Sequence, residues 1–208
     1  MNLMETIDDA LNHLSQSDKR FKSVIDQFGK PNFEPETNYL KSLVRSIIYQ
    51  QLSGKSASAI YNRFIELFNE GDFPNENDIL SQTIETYRSI GLSIQKSTYI
   101  KEIAKASLEE KIQLNSYPQL SDDEIRNELI QVKGIGPWTI DMFLMFTLNR
   151  MDVLPTNDLG IQKGFMIIFK LDDLPNPEFM IENSENWKPY RTIACWYLWK
   201  LVDGPIEW

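Results

Sequence analysis

Two stretches of the chain hold residues whose types and spacing suit chemistry. Thr156-Asn157-Asp158 places three cap-type residues just ahead of an apolar run of helical period, Leu159–Phe169. A plain helix cap is one reading of Asp158. The other is a reactive carboxylate, because a helix N-terminus favours negative charge. Such a group stabilises the positive charge that builds on a sugar as a glycosidic bond breaks, and it can orient or deprotonate an attacking water. Upstream, Leu129–Leu144 reads LIQVKGIGPWTIDMFL. Gly134 and Gly136 permit a tight reversal with the backbone bare on one side, and Ile135 can plug between the flanking helices. Pro137 suits the first turn of the second helix. The amides of Gly134 and Gly136, with that helix N-terminus, make an anion site sized for a phosphate. A bare turn between helices is the alternative, but apolar-x-x-Gly-Ile-Gly-Pro-Trp-Thr is a longer and more specific pattern than Gly-x-Gly.

The elements that must carry these residues have helical period almost throughout. Stripes run through Leu3, Ile7, Leu11 and Leu14, then Tyr39, Leu40, Leu43, Val44, Ile47 and Ile48, then Ile60, Phe64, Ile65 and Phe68. The third opens near Ser53 or Ser56. Further helices are expected over 83–90 (stopped by Gly91), 97–108, 122–132, 137–148, 159–169 and 187–202. Ser121 with Glu124 has capping-box spacing. Loops are expected at 75–78, 117–121 and 174–178. A short β-hairpin over 28–33 is the one weak strand signal. The fold class is therefore all-α.

Composition narrows the function. The chain has 208 residues, 42% of them hydrophobic and 25% charged, enough for one or two globular domains with their own core. No apolar run approaches the roughly 20 residues of a membrane span. The acidic start MNLMETIDDALNH does not read as a signal peptide, so an intracellular protein is expected. A single cysteine, Cys195, excludes an internal disulfide framework, a cysteine-rich zinc site and a four-cysteine iron–sulfur cluster. A single histidine, His13, excludes a multi-histidine metal site and reads as an amphipathic-helix residue. The net charge of −9 argues against a nucleic-acid partner. The charges are segregated, however: Lys41, Arg45, Lys55 and Arg63 lie in an acid-free stretch, and Arg88, Lys96, Lys101 and Lys105 face only Glu102. A small basic face with weak, salt-sensitive DNA binding is the expectation, with chance clustering on solvated helices as its alternative.

The chain resembles the helix–hairpin–helix DNA glycosylase superfamily, and within it the AlkA-type 3-methyladenine DNA glycosylases (type II). Three blocks carry the resemblance: Ser46-Ile-Ile-Tyr-Gln-Gln-Leu-Ser-Gly-Lys-Ser-Ala57, Val132-Lys-Gly-Ile-Gly-Pro-Trp-Thr139 and Asp152-Val-Leu-Pro-Thr-Asn-Asp158. It spans roughly Asn38 to the C-terminus and implies a two-lobed helical fold. One lobe is a central bundle over 39–150 holding the hairpin; the other combines 1–38 with 151–208, and the active site lies in the cleft between them. It makes Asp158 the catalytic aspartate. It assigns Trp138, Trp199, Met142 and Leu159 to a base pocket. It makes Leu52, with Gln51, the apolar wedge that fills the gap left by a flipped base, where a buried helix-end leucine is the plain alternative. Lys133, Gly134, Ile135, Gly136 and Thr139 form its phosphate-binding hairpin. The family often binds a monovalent cation, Na⁺ or K⁺, through carbonyls here belonging to Ile130, Val132 and Ile135; no cofactor is required.

The activity this implies is release of alkylated purines, 3-methyladenine and 7-methylguanine, from damaged double-stranded DNA by a monomer in the cytoplasm or nucleoid, or the nucleus of a eukaryote. Bifunctional members carry a Schiff-base lysine just before the hairpin-helix threonine; here that residue is Trp138, so no lyase step is expected. A cationic alkylated base suits an electron-rich indole face. Met142 and Leu159 stand where the family pocket is more polar. Two alternatives stay open: a glycosylase for deaminated bases such as hypoxanthine, and a DNA or abasic-site binder without catalysis.

Overall fold

A computed structural model describes residues 3–34, 36–52, 54–68 and 73–203. Ser53, named above as a cap candidate, and the side chain of Leu3 lie outside the described residues. The helices are α1 (Leu3–Ser17), α2 (Lys19–Phe28), α3 (Tyr39–Tyr49), α4 (Gly54–Glu66), α5 (Glu76–Ser81), α6 (Ile84–Ser89), α7 (Ile94–Leu108), α8 (Asp122–Leu129), α9 (Pro137–Phe146), α10 (Leu159–Phe169), α11 (Pro177–Asn183) and α12 (Arg191–Asp203). Two 3-10 turns, Leu114–Gln119 and Glu185–Trp187, complete the set. The fold is all-α, with no strand among the described residues. The β-hairpin expected over 28–33 is corrected: Gly29 ends α2 at φ +70, and the chain runs on irregularly. The expected loops at 75–78, 117–121 and 174–178 also hold structure. Asn75 and Asp78 close a reciprocal capping box that starts α5, the 3-10 turn reaches into the second, and Asn176 caps α11.

The chain forms two compact units, Met1–Glu34 with Asn149–Trp208, and Pro35–Leu148. In the first, α10 packs on α12, and α1 and α2 pack on each other and on α12. Its core is aromatic: Phe21 meets Trp187 edge-on at 5.0 Å, and Trp187 also lies 5.0 Å from Phe165. Asp18 caps α2 and accepts the Trp187 indole N–H at 2.9 Å, which ties the start of α2 to the turn before α12. α12 begins at Arg191 rather than 187 because Pro189 cannot continue a helix through that segment. α10 and α12 approach closely because of Gly164, where a Cβ would stand 2.6 Å from the Leu198 Cβ. His13 is satisfied on the Asn186 carbonyl at 3.0 Å, as expected of a structural residue.

In the second unit α3 is the central rod. Its Leu43, Val44, Ile47 and Ile48 are fully buried, and α4, α7 and α9 pack around it. Cations close its helix ends. Lys96 donates to the Ile48 and Gln50 carbonyls at the end of α3, Lys101 to the Leu80 and Gln82 carbonyls at the end of α5, and Arg63 to the Ile90 carbonyl at the end of α6. A cation at a helix C-terminus meets both orphan carbonyls and the negative end of the dipole. α8 opens with the capping box read from Ser121 and Glu124.

Candidate active site

Asp158 is the N-cap of α10, as its residue type dictates, and it does more than cap. Its Oδ1 accepts the Ile161 backbone N–H at 2.8 Å and the Trp199 indole N–H at 2.8 Å. Two converging donors fix the orientation of the half-buried carboxylate. Trp199 comes from α12, is only 3% exposed, and edges rather than faces the carboxylate through its N–H. Gly160 makes this possible. A Cβ there would lie 2.7 Å from Trp199 Cδ1, 2.9 Å from its Nε1 and 3.1 Å from Asp158 Oδ1. Gly160 and Gly164, one helical turn apart, thus form the small-residue face on which α12 rests, and Gly160 holds the indole on the acid. The sequence contains Gly160 two residues after Asp158, but a glycine inside a helix carries no local sign of the side chain that crosses it. Leu159 is 53% exposed at the first position of α10.

The hairpin belongs to the second unit. It joins α8 to α9, and its two glycines have different reasons. Gly134 sits at φ +100, and a Cβ would meet the Tyr99 ring at 2.2 Å. It is glycine for backbone sign and for packing. Gly136 is extended at φ −109, and a Cβ there would meet nothing within 4 Å. The space beside its Cα is open, so an approaching phosphate would meet no side chain there. Among the described residues the N–H groups of Gly134 and Gly136 donate to no protein acceptor. Ile135 is buried as the expected plug, and Pro137 takes the first turn of α9. Lys133 is exposed; Thr139 and Met142 are buried and Trp138 half-buried on α9.

The turn between α3 and α4 carries Gln51 and Leu52. Gln51 is a non-glycine residue in the left-handed region, at φ +56, and Leu52 is 39% exposed. An exposed leucine differs from the buried helix-end leucine that was its plain reading. The preceding residue, Gln50, reaches the hairpin: its side-chain amide donates to Thr139 Oγ1 at 3.1 Å and towards the Gly134 carbonyl at 3.4 Å. Gln50 was not singled out from the sequence, where it is one of two adjacent glutamines. Asp158, Trp199 and Leu159 are thus assembled in one unit, and the hairpin, the Leu52 turn, Trp138 and Met142 in the other.

The family model of the HhH-GPD superfamily base excision DNA repair proteins matches residues 44–189. The chain belongs to that family. It is 38% identical over 194 residues to the DNA-3-methyladenine glycosylase 1 of Schizosaccharomyces pombe, covering 90% of this chain and 84% of that one. It is 32% identical over 193 residues to the alkylbase DNA glycosidase-like protein mag2 of the same organism, covering 91% of each. Among solved structures it matches the Schizosaccharomyces pombe 3-methyladenine DNA glycosylase in complex with abasic DNA. There the TM-score is 0.86 and the identity 36%, over 96% of this chain and 100% of that one.

Proposed function

We infer that the protein is a DNA glycosylase of base excision repair that releases alkylated purines, 3-methyladenine and 7-methylguanine, from double-stranded DNA. The observation that carries this is Asp158, a carboxylate fixed by the Ile161 and Trp199 donors in a chain of this family. The C1′–N bond breaks with its electron pair leaving on the base, which a methylated, cationic purine accepts readily. Positive charge grows on the sugar, and Asp158 stabilises it. Water then adds to C1′ with loss of a proton, for which the same carboxylate is the acceptor. The Gly134 and Gly136 amides, which bond no protein acceptor among the described residues, would bind backbone phosphate, and Leu52 would fill the stack when the damaged base leaves it. Such an enzyme acts wherever the cell keeps its DNA.

We propose further that the enzyme is of the monofunctional type II class. The position before Thr139 is Trp138, and an indole cannot form a Schiff base with the sugar. A monovalent cation fits the hairpin carbonyls: those of Ile130 and Ile135 accept no hydrogen bond among the described residues, and that of Val132 accepts only the Ile135 N–H at 3.0 Å. Bound there, it would stiffen the hairpin without entering the chemistry.

The test is release of free bases from methylated duplex DNA, followed by a strand-nicking assay. Wild type should release 3-methyladenine or 7-methylguanine and leave intact abasic strands. Asp158→Asn should bind DNA and release roughly 10³-fold less, the scale of a lost electrostatic stabiliser. Comparable release by the two would sink the role given to Asp158.

A further inference from the structure

The Leu52 turn is short, exposed at its tip and built on an unfavourable backbone at Gln51, yet it is anchored from two sides. Lys96 Nζ on α7 donates to the Ile48 carbonyl at 2.8 Å and to the Gln50 carbonyl at 2.6 Å, the last acceptors before the turn. From the other side, the Gln50 side chain grips Thr139 and Gly134 of the hairpin. Inside the turn itself, the Leu52 N–H reaches the Tyr49 carbonyl at 3.3 Å. The left-handed residue is thus bracketed by an ammonium that fixes where α3 ends and an amide that fixes where the hairpin lies.

A turn needing only a helix stop would not require both anchors. Lys96 is half-buried, and its ammonium is removed from water to satisfy two carbonyls. A main-chain stop at water would be simpler. The two anchors instead make the phosphate-gripping hairpin and the exposed leucine one rigid piece. Grip and wedge then arrive at DNA in fixed register, without ordering the turn at the moment of binding.

We propose that Lys96 and Gln50 are positioning residues for base flipping: they hold Leu52 projected and in register with the hairpin before DNA arrives. This rests on the glycosylase reading of the hairpin and Leu52. Neither residue touches the reacting atoms. Their removal should therefore hurt most a reaction that must first open a stacked duplex.

Lys96→Met and Gln50→Leu separate this from a merely structural role. On methylated duplex DNA each variant should release base about tenfold to a hundredfold more slowly than wild type. On methylated single-stranded DNA, where no partner strand must be displaced, Lys96→Met should match wild type, and Gln50→Leu, which also frees the hairpin, should lose less than it does on the duplex. Added to Leu52→Ala, neither should lower duplex release further, because a misplaced wedge and an absent wedge fail in the same way. Equal loss on both substrates, or losses that multiply with Leu52→Ala, would overturn the proposal and leave two stability residues. A duplex carrying 2-aminopurine beside an abasic-site analogue gives a readout independent of catalysis. Wild type should brighten it on binding and the two variants should not. Brightening by the variants equal to wild type, or none by wild type, overturns the inference. Absence of base release by wild type with the fluorescence response intact overturns only the proposed activity.

Discussion

At the scale of single residues the site is a lesson in what a carboxylate needs besides its charge. Asp158 has the identity of an ordinary helix cap and performs that job on Ile161, but its Oδ1 also takes the Trp199 indole N–H. Trp199→Phe keeps a large ring and removes that one donor. A hydrogen bond to a charged group contributes about 1.5–3 kcal/mol, and roughly 1.4 kcal/mol is tenfold in rate. Single-turnover base release should therefore fall roughly tenfold to a hundredfold, while binding to an abasic duplex persists. An unchanged rate would reduce the indole to packing. Asp158 and the hairpin glycines were legible in the sequence because capping, tight turns and bare amides are properties of the residues themselves and their near neighbours. Gly160, Gln50 and Lys96 were not. Gly160 is small because a tryptophan from another helix crosses it, and Gln50 acts on a hairpin residue 89 positions away. Reasons of that kind exist only once the chain is folded.

Among elements, the hairpin makes a prediction from two residues of one type. Gly134→Ala puts a methyl into the Tyr99 ring at a positive φ, whereas Gly136→Ala meets open space at an allowed backbone. The first should lower Tm by several degrees together with DNA binding; the second should leave Tm unchanged and weaken DNA binding alone. Equal Tm losses would show that Gly136 is glycine for folding too. The tie between α2 and the turn before α12 makes another. Burial opposes ionisation of Asp18, but hydrogen bonds from the Arg20 side chain, the Trp187 indole and the Arg20 backbone outweigh it and hold the carboxyl below the usual carboxylate range. A folded-state pKa below the unfolded value of 3.8 stabilises the fold above that value and loses the effect as pH falls through the folded one. Chemical denaturation of wild type and Asp18→Asn should therefore differ most near neutrality and converge below pH 3.8. A gap that stays constant with pH would mean that shape, not charge, matters at this position. α10 could be read from its apolar period to the residue and α8 from its capping box. α2 and α5 could not. α2 buries only Phe21 and Val24 among many charges, and α5 is six residues long, too short to display a period.

At the scale of the whole molecule the question is how a chain of net charge −9 holds a polyanion. The segregated basic residues read from the sequence offered one answer, a small cationic face. The structure commits Arg63, Lys96 and Lys101 of that set to helix-end carbonyls and pairs Lys41 with Glu36 at 2.7 Å. Cations already spent on the protein's own backbone do not release counterions when phosphate arrives. On the proposed reading, what remains for DNA is the exposed Lys55 and Arg88 of that set, Lys133, the hairpin amides that bond no protein acceptor among the described residues, and the exposed Leu52. Amide dipoles and buried methyls bind with little dependence on salt, and each neutralised duplex phosphate adds about −0.9 to the slope of log K against log salt. Abasic-duplex binding measured from about 50 to 200 mM salt should therefore show a shallow slope of roughly −2 to −3. Lys133→Gln should reduce its magnitude by about 1. A slope steeper than about −6 would mean that a broad cationic face does form, and that lysines now engaged with carbonyls are released to DNA on binding.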